Sequence, residues 1–387
     1  MVARRRILTT LFAIVFTDLV GFGIVIPMLP LYAERYDPQP WLFGLLMASF
    51  SAMQFLFAPI LGRLSDRVGR RPVLLVSLGG AVAGYSLFAV ADSLALLFAS
   101  RIVAGIAGAN IATAQAVIAD LTEPQERARG MGLIGAAFGL GFIAGPALSG
   151  LLVTFGPAAP GFGAAFCSAA ALLMTVFFLP ESAPRGSARG APSVWGGARL
   201  ALALRRRDLA PLLALGLLVV GGMAVFEVTF AQFLHARIAL SPSRIAFVFV
   251  YAGVLAALVQ GAAVGRLARR FGENTLLFAG LALSAVGLAL LAATPSLGWL
   301  LAVLPLLAFG QGLTMPTLSA MVSRRGDRDD QGEILGAYQG VNSFARIVGP
   351  LAGEVAYGML GTAAPPLLAC ALAVAALAGA AAWLRGQ

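Results

Sequence analysis

Five ionisable residues stand inside runs that are otherwise apolar: Asp18, Arg101, Glu227, Arg346 and Glu354. A charge in hydrocarbon costs several kcal/mol unless it is paired or hydrated, so each is a candidate for function. The chemistry open to such a set is proton movement. A low dielectric disfavours the charged form of a carboxyl and a nearby guanidinium favours it. A carboxyl that alternates between such settings can take up a proton on one side of a barrier and release it on the other. Asp18 is the leading carrier, with Glu227 or Glu354 assisting and Arg101 as its expected positive partner; a structural cap is the alternative role for Asp18. Arg346 and Glu354, eight residues apart, share roughly one helix face and are expected to balance a local charge network. Other chemistry has little support. There is no HExxH, no serine–histidine pair and a single histidine, His235, which reads as interfacial. Cys167 and Cys370 lie in apolar segments without CxxC spacing and read as core residues. No enzyme activity, metal or cofactor is expected.

The elements that hold these residues follow from composition. Of 387 residues, 59% are apolar and 11% charged, where a soluble domain carries about a quarter charged. A water-soluble fold of this size has too little interior for that much apolar surface. The apolar residues cluster into runs near the roughly 20 residues that a spanning helix requires. Breaks at charges, prolines and glycines predict twelve helices: 7–33, 41–64, 72–91, 94–118, 129–154, 160–180, 209–235, 243–268, 274–293, 297–322, 332–360 and 363–384. The first run is too long for a signal peptide despite Arg4 to Arg6 before it.

The formal charge is +10 and all 27 basic residues are arginine. They fall between apolar runs, which favours a membrane over nucleic acid. With the N-terminus inside, 22 of the 27 lie on the cytoplasmic side and only Arg35, Arg237 and Arg244 on the outer side. Both termini are therefore expected in the cytoplasm. A polar stretch at 181–208 divides the chain into bundles at 1–180 and 209–387. Within it, Val194 to Arg207 reads either as an amphipathic helix on the membrane surface or as a solvated linker.

The two halves repeat one another. Gly62 to Gly69 (GRLSDRVG) returns as Gly265 to Gly272 (GRLARRFG), Gly145-Pro146 as Gly349-Pro350, and Gly132 as Gly336, all offset by 203 or 204 residues. Each half is one six-helix unit, and two such units around a midplane site make an alternating-access transporter.

The first copy continues as Gly62-Arg63-Leu64-Ser65-Asp66-Arg67-Val68-Gly69-Arg70-Arg71-Pro72. Gly62 is expected to let two helices approach, Gly69 to permit a tight turn, and Asp66 to face a helix N-terminus or an arginine. Gly141, Gly145, Pro146 and Gly150 on helix five predict close packing of a bent helix. Gly139 to Ala144 fits a dinucleotide fingerprint, but no strand precedes it.

The Gly62–Pro72 segment resembles the cytoplasmic loop motif of the major facilitator superfamily, and Gly141 to Gly150 resembles the antiporter motif of that superfamily. Phe16 to Pro30, with Arg101, Gly105 and Gly108 on helix four, is similar to the tetracycline-efflux branch of its drug–proton antiporters. The resemblance implies an all-α integral membrane protein of twelve helices in two pseudo-symmetric bundles. It also implies that the loop, through Asp66, Arg67, Arg70 and Arg71, gates the cytoplasmic side. The second copy departs from the motif with Arg269 where Asp66 stands. In enteric tetracycline exporters a helix-eight histidine and a helix-nine aspartate serve coupling; the corresponding residues here are Ala256 and Ser284.

Uncharged cavity candidates are Gln54, Asn110, Gln115, Gln232, Gln260, Gln311, Gln339 and Asn342, with Phe226, Phe230 and Tyr251 as aromatic walls. Such a lining suits amphiphilic, partly aromatic molecules. The expected activity is proton-gradient-driven efflux of such compounds from a monomer in the bacterial inner membrane. A symporter or uniporter of a sugar or metabolite, and a non-transporting receptor on the same scaffold, are the alternatives.

Overall fold

The computed structural model describes residues 2–36, 38–121, 127–181, 209–259, 264–325 and 331–385. Among them the regular structure is entirely helical. The first half holds α1 (Val2–Val25), α2 (Met28–Ala33), α3 (Pro40–Val68), α4 (Arg70–Ala89), α5 (Leu94–Gly108), α6 (Asn110–Leu121), α7 (Arg127–Leu152) and α8 (Ala159–Phe178). The second holds α9 (Ala210–Ile238), α10 (Pro242–Leu258), α11 (Val264–Phe271), α12 (Glu273–Ala292), α13 (Leu297–Ser323), α14 (Gln331–Leu360) and α15 (Ala364–Arg385). Nine segments among the described residues are long and apolar enough to cross a membrane, and Gly139–Phe155 and Pro242–Leu258 are shorter apolar helices. The 30-residue α14 completes the expected twelve. The proposed surface helix at Val194 to Arg207 lies outside the described residues.

Two expected helices are interrupted. Helix one stops at Val25, just ahead of Pro27, and resumes at Met28. The run 94–118 breaks at Ala109 into α5 and α6. Gln54 Nε2 donates to the Gly108 carbonyl at 2.8 Å, satisfying an acceptor at that break.

The chain forms two compact units. Unit 1 contains Met1–Pro38, Ser49–Ala191 and Ser241–Gly253; unit 2 contains Gln39–Ala48, Pro192–Leu240 and Val254–Gln387. The core of unit 1 gathers Leu11 and Ile14 of α1, Leu74 and Leu78 of α4, Val117 and Ile118 of α6, and Ala171 of α8. The core of unit 2 gathers Leu212 and Leu213 of α9, Leu277 and Leu281 of α12, Leu318 and Val322 of α13, and Ala376 and Ala380 of α15. Val76, Phe166, Phe177 and Leu367 face outward, which suits a surface solvated by lipid.

The sequence repeat is a structural repeat. Gly69 and Gly272 immediately precede α4 and α12, the third spanning helix of each half, with positive φ, 108° and 78°. Ser93 and Ser296 cap α5 and α13, each accepting from the backbone N–H three residues on. Gly145 of α7 presses on α1, where an added Cβ would fall 2.6 Å from the Gly23 backbone. Its counterpart Gly349 of α14 presses on α9, where a Cβ would fall 2.7 Å from Ala224 Cβ.

Candidate functional site

The break after Gly108 turns Asn110 toward α1. Asn110 Nδ2 donates to Asp18 Oδ2 at 3.1 Å, and Ser168 Oγ of α8 donates to Asp18 Oδ1 at 2.8 Å. The Asp18 carboxyl is thus held by two neutral donors. Beside it lies a cavity of about 10 Å³ bounded by Ile14, Leu74, Leu78, Ile111 and Ala114, at the lower edge of the space one water needs. Arg101 is not among the partners of Asp18. Its guanidinium is buried over the Phe50 ring, 5.3 Å from the centroid. The expected Asp18–Arg101 pair is therefore not formed in this conformation.

In unit 2 the acids bridge α9 and α14. Glu227 Oε2 lies 3.6 Å from Arg346 Nη1, with the arginine 44% exposed, so solvent screens the pair. The Gln232 amide, turned so that its nitrogen faces Glu354, stands 3.2 Å from both carboxylate oxygens. Glu354 is 2% exposed. The expected balance of Arg346 against Glu354 along one helix is replaced by two links across to α9. Gly44 of α3 packs here too, since a Cβ on it would meet Leu351 Cα at 2.8 Å.

The remaining cavity candidates are scattered. Gln311 borders a cavity of about 20 Å³ with Ser284, Thr314 and Met223, and its Oε1 has no partner. Asn342 Nδ2 donates to Gln339 Oε1 at 3.3 Å. Phe226 and Phe230 pair with ring centroids 4.6 Å apart. Gln115 and Gln339 are exposed and Tyr251 is half-buried. Gln260 lies outside the described residues. His235 is exposed, with Nδ1 3.0 Å from the Leu240 carbonyl. Among the described residues no three His, Cys, Asp or Glu side chains group to hold a metal.

Asp66, Arg70 and Arg71 of the loop motif engage further residues that the sequence did not single out. Asp66 Oδ1 pairs with Arg70 Nη1 at 2.5 Å. Arg70 Nε donates to Asp120 Oδ2 at 3.0 Å, and Nη1 to Ser65 Oγ at 2.7 Å. Glu181, rather than Asp66, serves the α4 N-terminus: its Oε1 accepts from Arg70 N at 2.8 Å, where an anion complements the helix dipole. Arg71 Nη2 donates to the Val176 carbonyl near the end of α8 at 2.5 Å. Arg67 is exposed. Gly69 turns the chain as expected, but no described atom lies within 4 Å of a Cβ built on Gly62, so the close approach expected there is not made. Asp120 and Glu181 each close an apolar run beside arginine-rich segments, and that position is the signal that marks them.

On α7 a Cβ at Gly141 would fall 2.9 Å from Leu19 Cβ, and one at Gly150 would fall 2.9 Å from Ala246 Cβ. Ser243 Oγ donates to the Gly150 carbonyl at 2.9 Å. Pro146 lies within the helix, with its ring 3.4 Å from a Cβ built on Gly23.

The family model Major Facilitator Superfamily matches residues 11–350 and 212–387. The class C tetracycline resistance protein of Escherichia coli is 38% identical over 352 residues, covering 86% of this chain and 85% of that protein. The class D protein of Salmonella ordonez is 35% identical over 337 residues, covering 86% and 85%. A crystal structure of the human organic anion transporter MFSD10 (TETRAN) aligns with a TM-score of 0.74 at 28% identity, covering 97% of this chain and 99% of that one. The repeated halves, the helix-five packing and these matches together place the chain in the Major Facilitator Superfamily, as a multi-pass membrane transporter and not an enzyme.

Proposed function

We propose that this protein exports small amphiphilic compounds in exchange for protons. Asp18 is the proton carrier. The single observation behind this reading is the Asp18 carboxyl itself, held inside a spanning bundle by Asn110 and Ser168 with no counter-cation among its partners. Neutral donors let a carboxyl accept a proton without breaking an ion pair. Glu227 and Glu354, each linked to a second helix, assist. The gradient supplies the drive: one charge crossing 100 mV is worth about 2.3 kcal/mol. No cofactor takes part.

The arginine distribution supports both termini in the cytoplasm, with bundles at 1–180 and 209–387 and a cytoplasmic linker at 181–208; the bacterial relatives support the inner membrane, where the protein acts as a monomer. The 62–72 loop then lies on the cytoplasmic face and gates it. Tetracycline, named in the bacterial relatives, is the first compound to try, followed by aromatic amphiphiles of either charge.

Everted vesicles carrying the protein test this reading. With the lumen acidified, adding an export substrate should release protons to the outside, and Asp18→Asn should abolish the signal while the protein remains folded. Full proton release from Asp18→Asn would remove Asp18 from the mechanism. Uptake of substrate and proton in the same direction would make the protein a symporter, and silence across a broad panel would favour a receptor.

A further inference from the structure

Two buried hydroxyls of unit 1 are unspent. Ser77 of α4 is 4% exposed and Thr113 of α6 is fully buried, and neither oxygen has a hydrogen-bond partner among the described residues. Buried hydroxyls on a helix commonly donate back to their own backbone, as Thr175 does to the Ala171 carbonyl and Thr229 to that of Val225. A buried hydroxyl left unpaired is costly. It is also a donor and an acceptor held ready for a proton.

Packing sets both on one seam. A Cβ on Gly84 of α4 would fall 2.9 Å from the Ala104 nitrogen, and one on Gly80 would fall 3.3 Å from Ala107 Cβ. Further along, Arg70 Nε donates to Asp120 Oδ2 at 3.0 Å. Thus α4 runs antiparallel to α5 and α6, and in that register Ser77 falls opposite the stretch from Asn110 to Thr113. The cavity of about 10 Å³ beside Asp18 lies on the same seam. Leu74 and Leu78, which flank Ser77 in the chain, line it, as do Asn110, Ile111 and Ala114, which flank Thr113. Its size suits one water, for which Asp18 and Asn110 are polar partners. At the helical rise, Asn110 and Asp120 stand about 15 Å apart along α6. Nearer Asp120 the seam is apolar, with Val73 and Val117 both buried. The Arg70–Asp120 pair, with Asp66 on the same arginine, closes it at the face that the arginine distribution assigns to the cytoplasm.

We propose that the α4–α6 seam is the route by which the Asp18 proton reaches the cytoplasm, through one water in the cavity and the Ser77 and Thr113 hydroxyls to the Asp120 end. The route rests on the reading of Asp18 as carrier and supplies the path that reading lacks. Asp18 gives its proton to the water. Each hydroxyl on the way takes a proton on its oxygen and gives up its own. One proton leaves to cytoplasmic water beside Asp120, and Ser77 and Thr113 end as they began. Val73 and Val117 interrupt the route in this conformation, so release waits until α4 and α6 part at the Arg70–Asp120 end.

The test follows the Asp18 carboxyl by infrared difference spectroscopy, in the purified full-length protein in nanodiscs and without substrate. The probe is the carboxylic acid band that Asp18→Asn removes, and the quantity read is the rate at which it shifts on exchange into heavy water. Thr113→Val and Ser77→Ala should each slow that shift by about fivefold or more, the effect of one lost hydrogen-bonded step. Their thermal midpoints should be unchanged or raised, because an unpaired hydroxyl has gone. Val117→Thr should hasten the shift. Ser149 of α7 is as buried and as unpaired but lies off the seam, and Ser149→Ala should leave the rate unchanged. Natural exchange rates in the double variant Ser77→Ala/Thr113→Val, or equal slowing by Ser149→Ala, would overturn the proposal. The loss from the seam hydroxyls and the gain from Val117→Thr read one route from opposite sides, so a variant that fails to fold leaves the other to decide. A carrier that uses another route keeps the band and the vesicle proton release but shows no slowing. If no acid band depends on Asp18, the carrier reading falls and the route with it.

Discussion

Ser168 Oγ donates to Asp18 Oδ1 at 2.8 Å, across the contact between α8 and α1. The serine is fully buried, so its hydroxyl has no water to turn to. Removing it takes away one of the two neutral donors that set the carboxyl's position and its readiness to exchange a proton. Such a bond is worth about 1 kcal/mol. Ser168→Ala should slow proton-driven transport in vesicles by roughly fivefold to tenfold. Ser100 supplies the control. It is equally buried, but its hydroxyl donates to the Leu97 carbonyl of its own helix, and Ser100→Ala should leave the rate within about twofold. Equal effects of the two changes would mean that Ser168 acts through packing alone.

Gly145 and Gly62 both occur in motifs, and the structure separates them. A Cβ at Gly145 would fall 2.6 Å from the Gly23 backbone and 2.8 Å from the Val20 carbonyl oxygen, where neither side can yield cheaply. Gly145→Ala should force α7 off α1, costing about 1–3 kcal/mol and lowering the thermal midpoint of the detergent-solubilised protein. No described atom lies within 4 Å of a Cβ built on Gly62. Gly62→Ala should be neutral or stabilising by up to about 1 kcal/mol, the helix-propensity difference. A midpoint lowered as far by Gly62→Ala as by Gly145→Ala would contradict this.

These cases show what was legible in the sequence. Apolar run lengths and the 203–204 offset carry the helices and the repeat, because lipid forces backbone hydrogen bonds to close within each helix. Small residues on α7 mark close packing at Gly141, Gly145 and Gly150, because they let helix backbones approach. The partners of the functional side chains were not legible. Asp18 and Arg101 are the two charges set well inside first-half spans, away from their ends, so charge counting pairs them, yet Asn110, just past the break at Ala109, bonds the acid instead. Arg346 and Glu354 share a helix face, but each finds its partner on α9.

Ala239 is the only non-glycine residue with positive φ among those described, at φ 50°. It ends α9, where its N–H and that of Leu240 both reach the Leu234 carbonyl. An L-residue in this left-handed setting pays about 1–2 kcal/mol that glycine does not. Ala239→Gly should therefore stabilise the protein by roughly 1 kcal/mol, and Ala239→Val should destabilise it by at least as much. Thermal unfolding of the solubilised protein reads both, with no change in transport expected. A lower midpoint for Ala239→Gly would show that the turn is held open by other contacts.

Arg70 and Asp120 have a counterpart in the second half with the charges exchanged. Arg70 opens α4 and pairs with Asp120 at the end of α6 at 3.0 Å; Glu273 opens α12 and pairs with Arg324 just past α13 at 2.8 Å. The positions correspond through the same offset of 203 and 204 residues. Their surroundings differ. The Arg70 side chain is 12% exposed and also bonds Asp66 and Ser65, whereas Arg324 is 74% exposed. A pair so open to solvent is worth little, about 0–1 kcal/mol, while a sheltered guanidinium with three partners holds its loop in one geometry. Arg70→Gln should cut transport by about tenfold and leave Asp66 and Asp120 to repel each other; Arg70→Lys should recover only part, because an ammonium cannot reproduce the fork. Glu273→Gln should stay within about twofold of the natural rate. Comparable losses from Arg70→Gln and Glu273→Gln would show that the two pairs act as one device across the repeat, and that burial does not set their worth.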